Sequence, residues 1–412
     1  MREMIEGEWS IVTGNYAAAV AAKLARVGVV AAYPITPQTT VVEYLASFIE
    51  SGYMNAEYIR VESEHSAMAA VIGASAAGAR AFTATSSQGL LYMAEVLHWA
   101  AGSRVPVGMA VINRAVGPPW NIHADHQDTM SQRDTGWLQI YVSSNQEVLD
   151  TILMMYKVAE HPDVMLPFMV CLDAFTLSHT FMPVKIPKQE EVDEFLPPYR
   201  PTHWLLDPSD PIGFGALVLP DDEYQEMRWS IDLSMRKALE VIEDVADEFS
   251  RKFGRYHGGA IMKYRMSDAD YVILTSATLA SEAEVAVDIM RNEGISVGLL
   301  KLRAFRPFPH RDLKENLQGR KGVIVIDRSI SFSSGGPIGT EVKSSLYGIS
   351  GTPPVVNYIT GLGGRDVTYK DIIEMTKDSI NRISTGRVKR PYYWYKLKQD
   401  YQRVELTEEV IL

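Results

Sequence analysis

Residues 58–78 read YIRVESEHSAMAAVIGASAAG, and the fold turns on how this stretch is parsed. Tyr58 to Val61 predicts a short strand. Ser63 follows as a helix cap, because a serine hydroxyl can accept from the free N–H groups of a first turn. An Ala- and Gly-rich helix comes next, with Glu64 in its first turn. Glu64 is thus placed where a helix leaves a strand end, the position at which α/β proteins hold ligands. The small side chains of this helix let something pack close to its backbone. A plainer reading treats Glu62 and Glu64 as acids favoured at the positive end of a helix. The rest of the chain decides between the two.

Outward from this stretch, strands and helices alternate. On the N-terminal side lie a small-residue helix over 15–26, a strand Val29 to Ala32, the turn YPITPQTT and a helix Thr40 to Glu50. On the C-terminal side come a strand Ala81 to Thr85, a loop SSQG, a helix Leu90 to Ala100 and the apolar run Val105 to Ile112. That run is what a strand buried on both faces requires. Residues 113–136 are long, polar and rich in Trp, His and Asp, the composition of a functional loop. The alternation resumes with Leu138 to Val142, a helix Asn145 to Glu160 and Pro167 to Leu172. Eight prolines between Pro183 and Pro220 predict an extended arm over a surface. Ile231, Met235, Leu239, Ile242, Val245, Phe249 and Phe253 then recur at helical spacing as a packing face. A second unit has strands Tyr271 to Thr275, Val297 to Leu302, Gly322 to Ile326 and Val355 to Tyr358, separated by helices. The aromatic tail PYYWYKLKQDYQRVEL is of the kind that docks on a partner or on its own body. Strand–helix alternation predicts α/β architecture with two doubly wound, mostly parallel-sheet domains. The division is 1–182, an arm and connecting helix over 183–265, a second domain over 266–385 and a tail over 386–412.

Bulk properties agree. A chain of 412 residues is too long for one average domain, and 46% apolar residues are ample for real cores. A net charge of −11 argues against general nucleic-acid binding. No signal peptide or membrane span is read, which makes the cytoplasm the expected location. The single cysteine, Cys171, rules out an internal disulfide and a cluster held by this chain alone, and its flanks predict a buried strand.

Neither a Walker loop nor a Gly-x-Gly-x-x-Gly turn follows any strand. SFSSGGPIGT, 331–340, precedes a helix and could cradle an anion or simply turn. His123, Asp125, His126 and Asp128 are all metal-capable, yet four ligands within six residues must bend sharply back. Such residues also hydrogen-bond backbone, so no metal ligand is assigned. Arg114, directly after a buried strand, suits a bidentate grip on a carboxylate, with a surface ion pair as the alternative. Thr36 could be a turn residue or a hydrogen-bond partner for substrate. If the strand order is doubly wound, Glu64, Thr36, the SSQG loop and Arg114 converge.

YPITP (33–37), ESEHSAMAAVIGASAAGARAFTATSSQG (62–89), NR with DHQD (113–128) and RDTGWLQ (133–139) together resemble the α subunit of the 2-oxoacid:ferredoxin oxidoreductases, most closely the pyruvate enzymes. DAFTLSH, DEFLPPY, LLKLRAFRPFP and IDRSISF extend the resemblance over nearly the whole chain. It implies a thiamine diphosphate enzyme whose first domain holds the aminopyrimidine and whose second is transketolase C-terminal-like. It implies a β subunit carrying the diphosphate and Mg²⁺ site and an iron–sulfur cluster, further γ and δ subunits, ferredoxin, coenzyme A and a dimer of heteromers. By position, Glu64 matches the glutamate on N1′ of the aminopyrimidine, Thr36 and Arg114 hold the substrate carboxylate, and Tyr33, Pro34, Ser87 and Gln88 join Glu64 around the cofactor. Pyruvate is the favoured acid. Branched-chain or aryl 2-oxoacids, 2-oxoglutarate, or a non-catalytic interaction subunit on the same fold are the alternatives. Trp120 adds bulk to the substrate-side loop.

Overall fold

The computed structural model describes residues 6–213 and 215–401. The first sheet has seven strands, in the spatial order Ala304–Arg306, Leu138–Tyr141, Phe168–Asp173, Gly108–Asn113, Ala81–Thr85, Val29–Ala32, Glu57–Arg60. All neighbours are parallel except the first pair. The four strands from Leu138–Tyr141 to Ala81–Thr85 in that order are buried along their whole length, because helices cover both faces. The second sheet has six strands: Tyr393–Trp394, Val355–Ile359, Gly322–Asp327, Tyr271–Ser276, Val297–Leu302 and Ile261–Tyr264. Only the last runs antiparallel to its neighbour. The α/β class and the predominantly parallel sheets are as expected. No helix among the described residues is long and apolar enough to cross a membrane.

Several pairings depart from the linear division of the chain. Ala304–Arg306, from the second unit, reaches back and closes the edge of the first sheet against Leu138–Tyr141, where an open edge would invite foreign strands. Ile261–Tyr264 and Tyr393–Trp394 extend the second sheet on either side of 266–385. The tail therefore docks on its own body through Tyr393 to Lys396; residues 402–412 lie outside the described residues, as do 1–5. The proline-rich stretch does not begin as an arm. Met182–Lys185 pairs antiparallel with Trp9–Val12, and Gln189–Phe195 is a helix. A partner 170 or more residues away in sequence leaves no local trace at either strand. The long helix Tyr224–Phe253 buries Ile231, Ile242, Val245 and Phe249, with Met235, Leu239 and Phe253 packed beside them, so the predicted apolar face is the packing face.

Buried ion pairs weld the units together. The Glu147 carboxylate, at the start of helix Asn145–Ala159, accepts from Lys301 Nζ in the second sheet and from Ser143 N at 3.0 Å. Arg303 Nη2 donates to Thr151 Oγ1 at 2.9 Å on the same helix. Burial alone would raise the Glu147 pKa, but Lys301 and Arg303 overcome it and bring it down from 4.5 to about 2. Protonation therefore favours the unfolded chain. The contribution, about 3 kcal/mol, is complete at neutral pH and is lost progressively as pH falls through 4.5 toward 2. The stability gap between wild type and Glu147→Gln, from denaturant titrations, is expected to narrow by about 1 kcal/mol from pH 7 to pH 4. An unchanged gap would assign the acid sensitivity elsewhere.

Candidate active site

Four neighbouring parallel strands end on one edge of the first sheet, and each runs into a segment singled out by its sequence. Glu57–Arg60 leads to Glu64, Val29–Ala32 to Tyr33, Pro34 and Thr36, Ala81–Thr85 to Ser87 and Gln88, and Gly108–Asn113 to Arg114. Chain order reverses between Val29–Ala32 and Ala81–Thr85, and these two pair only at Val29–Ala81 and Val30–Phe82. They part toward their C-terminal ends, the crevice in which open α/β sheets bind ligands.

Ser63 caps the helix Glu64–Ala76 by accepting from Ser66 N at 3.2 Å. Glu62 is exposed and accepts from the Ser66 hydroxyl, an ordinary helix-start acid. Glu64 differs. It is 7% exposed, and its carboxylate takes no hydrogen bond or ion pair from any described residue. The nearby Thr85 Oγ1 is buried without a partner. Gly89 sits against both: a Cβ there would stand 2.6 Å from Glu64 Oε1 and 2.6 Å from Thr85 Oγ1. A carboxylate without a protein partner is open to donors from a ligand. Gly89, lacking a Cβ, lets the Glu64 carboxylate and the Thr85 hydroxyl pack against its backbone, which sets an acceptor at the strand ends suited to a ligand that offers a ring N–H or an amino group.

Arg114 is 2% exposed and makes no ion pair with a described carboxylate. Its Nη1 donates to the Thr36 carbonyl at 2.6 Å, Nη2 to Gln88 Oε1 at 3.2 Å and Nε to the Asn121 carbonyl at 3.3 Å. All three acceptors are neutral, which leaves two of a guanidinium's five N–H groups free for an anion. Burial lowers its pKa, and the nearby Asp128 charge opposes that shift. Asp128 is fully buried and clamps the two strand ends. Its Oδ2 accepts from Arg114 N at 3.0 Å and Ser87 N at 3.1 Å, and its Oδ1 from Asn113 Nδ2 at 2.8 Å. Ser87 also donates to the Ala115 carbonyl at 2.6 Å. These bonds hold Ser87 at φ +48°, a conformation that non-glycine residues disfavour. Ser87 opens a helix, Ser87–Tyr92, where a loop was expected; the tertiary anchor overrides the weak helix tendency of SSQG.

Convergence thus extends to direct contact for Thr36, Gln88 and Arg114, while Glu64 meets Thr85 and Gly89 beside them. Tyr33, Pro34 and Thr36 are exposed along the same edge. Ser87 is buried, and its hydroxyl is committed to Gln88 and Ala115. The roles of Asp128, Thr85 and Gly89 are not legible in the sequence, although all three lie inside the stretches 62–89 and 113–136; only the pairing of strand ends singles them out.

The His123–Asp128 cluster does not face a common point. His126 Nε2 lies 2.7 Å from Asp173 Oδ1, Asp125 accepts from Gln127 N at 2.9 Å and Gly363 N at 3.0 Å, and the His123 ring packs at a tilt against Phe175. Only the Asp125 bonds are the backbone bonds of the alternative reading; His126 is taken by an aspartate and His123 by an aromatic ring. Among the described residues no group of three His, Cys, Asp or Glu side chains could hold a metal ion. The glycine loop 331–340 is also closed to an external anion. Asp327, pushed up to about 6 by burial against its hydrogen bonds, accepts from Ile338 N at 2.9 Å and Gly339 N at 3.0 Å, so the helix start holds its own carboxylate. Cys171 is buried in the strand Phe168–Asp173, and burial raises its thiol well above the usual range.

Fold and site define a class. Among solved structures the chain superposes, with a TM-score of 0.71 and 19% identity, on 2-oxoglutarate:ferredoxin oxidoreductase from Magnetococcus marinus, over 91% of this chain and 66% of that one. It also superposes, with a TM-score of 0.53 and 11% identity, on a split-gene transketolase, over 90% of this chain and 99% of that one. Identities this low speak for the fold alone, a pair of parallel-sheet α/β units.

Sequence carries the assignment further. Residues 20–247 match the thiamine diphosphate-binding model of the pyruvate flavodoxin/ferredoxin oxidoreductases, and 269–372 match pyruvate:ferredoxin oxidoreductase core domain II. Ketoisovalerate oxidoreductase subunit VorA of Pyrococcus furiosus is 51% identical over 94% of this chain and 98% of its own. Pyruvate synthase subunit PorA of Methanocaldococcus jannaschii is 51% identical over 91% and 95%. The chain belongs to the 2-oxoacid:ferredoxin oxidoreductase family, as a subunit of the PorA and VorA kind. Glu64, an acceptor without a partner among the described residues, and the unpaired Thr85 hydroxyl beside it fit the donor groups of the aminopyrimidine of thiamine diphosphate.

Proposed function

We propose that this chain binds the 2-oxoacid and the aminopyrimidine half of thiamine diphosphate in a cytoplasmic complex that oxidatively decarboxylates pyruvate to acetyl-coenzyme A and CO₂. The observation that supports it most is Arg114, a buried arginine whose guanidinium has only neutral acceptors, at the same sheet edge as Glu64, whose carboxylate has no partner among the described residues. When bound, thiamine diphosphate supplies the ring system that accepts the electrons freed at decarboxylation. Glu64 holds a proton at N1′ of its aminopyrimidine, in a site where burial strengthens the interaction. Arg114 grips the substrate carboxylate through its two remaining N–H groups, and the exposed Thr36 hydroxyl adds a bond at the same edge. Tyr33, Pro34, Ser87 and Gln88 border the cofactor. Asp128 keeps the Ser87 and Arg114 backbones in register.

The diphosphate, Mg²⁺ and iron–sulfur clusters belong on this reading to β, γ and δ partner subunits, in a dimer of heteromers. Electrons leave to ferredoxin, and coenzyme A takes the acyl group. A branched-chain 2-oxoacid is the second reading, supported by a 51% identity to a ketoisovalerate oxidoreductase subunit that equals the identity to a pyruvate synthase subunit. Purification of the chain with its partner subunits, followed by viologen reduction with a panel of 2-oxoacids and coenzyme A, tests both. Pyruvate is expected to give the highest kcat/KM. A higher value for 2-oxoisovalerate selects the second reading, and a cofactor-loaded complex inert to every acid overturns both.

A further inference from the structure

Trp120 is 77% exposed, yet its ring lies over the Arg114 guanidinium, with 5.0 Å between Cζ and the ring centroid. The loop that carries it is held at both ends. Ala115 N donates to the His123 carbonyl at 3.0 Å, and Arg114 Nε donates to the Asn121 carbonyl at 3.3 Å. Asn121 Nδ2 reaches the second unit, donating to the Gly363 carbonyl at 3.0 Å. At its other end Gly117 lies against Gln88, and a Cβ there would be 2.8 Å from Nε2. With the backbone pinned, the indole can turn about its own side-chain bonds while the loop beneath it stays in place.

Arg114 is 2% exposed, and one cover over its guanidinium is this otherwise exposed ring. An anion that reaches Arg114 therefore displaces the indole or slides along it. In a 2-oxoacid the side chain starts two bonds from the carboxylate carbon, so groups that flank the guanidinium also flank that side chain. The Thr36 carbonyl and the Gln88 amide are polar. Trp120 is the large apolar neighbour, and its cation–π contact with Arg114 favours return of the ring once the anion is seated.

We propose that Trp120 is a specificity-determining residue: its ring closes over a 2-oxoacid held at Arg114 and forms the apolar wall against the acid's side chain, favouring small acids. This rests on Arg114 being the carboxylate grip. A closed ring shields the ion pair from water, which strengthens it for an acid small enough to fit beneath. A bulkier acid holds the ring open and forgoes that gain.

The test is the ratio of kcat/KM for pyruvate to that for 2-oxoisovalerate in the assembled complex, for wild type, W120F and W120A. W120A is expected to move the ratio at least about tenfold toward the branched acid, the scale of discrimination that an apolar wall supplies. The change is expected mainly through a raised KM for pyruvate. W120F, which keeps a ring, should stay within about threefold of wild type. Because Trp120 is mostly exposed, both variants should melt with wild type. An active complex in which W120A scales both acids by one factor overturns the wall but leaves Arg114 as the grip. A wild-type complex inert to all 2-oxoacids overturns the grip and the wall together.

Discussion

Replacement of Glu64 by Gln is expected to lower 2-oxoacid-dependent viologen reduction by the assembled complex at least about a hundredfold, the usual scale for loss of a positioned acid–base group. The substitution is nearly isosteric, so the packing against Thr85 and Gly89 is retained. What disappears is the charge and the proton-holding oxygen. The variant should melt no lower than wild type, since Glu64 makes no bond to a described residue. It should also need more thiamine diphosphate for half-maximal activity. Wild-type turnover would return Glu64 to the status of a helix-start acid like Glu62 and leave the unpaired acceptor without a function.

The second large effect concerns Asp173, at the end of a fully buried strand. Its Oδ1 meets His126 Nε2 at 2.7 Å, and its Oδ2 accepts from Arg328 Nη1 at 3.0 Å and from Thr278 N at 3.1 Å. Arg328 and Thr278 belong to the second unit, and His126 belongs to the loop that contains Asp128. Burial would raise the Asp173 pKa, but Arg328 and His126 hold it well below the usual carboxylate range. Asp173→Ala strands a guanidinium and an imidazole in the interior, and the cost is expected to be about 3–5 kcal/mol. Denaturant titration of the purified complex measures it, with Asp173→Asn, which keeps the shape and some hydrogen bonds, falling in between. A loss under about 1 kcal/mol would mean that water replaces the carboxylate and that the junction is not buried as drawn.

These two residues differ in how far local sequence reveals them. Glu64 could be placed from residues 58–78 alone, since a β-favouring run, a serine cap and an Ala-rich helix are each dictated by neighbours in the chain. The same holds for the buried strands, whose apolar runs announce two covered faces, and for the apolar face of Tyr224–Phe253, whose period is that of the helix itself. Asp173 gave no such sign. Its partners lie 47, 105 and 155 residues away, and an aspartate at a strand end looks the same paired or solvated.

Short-range chemistry was therefore enough for the class of fold, the strand–helix junctions and the identity of Glu64, Thr36 and Arg114 as residues at strand ends. Strand order was decided only by the folded chain. It sets Glu57–Arg60, Val29–Ala32, Ala81–Thr85 and Gly108–Asn113 side by side, and so turns four separate strand ends into one crevice. It also shows that Asp128 is a clamp, that the glycine loop is sealed by Asp327 and that Ala304–Arg306 crosses to the first sheet. The physical reason is the same in each case. Propensity and periodicity act over a few residues, whereas pairing and burial are settled by which surfaces meet once the whole chain has condensed.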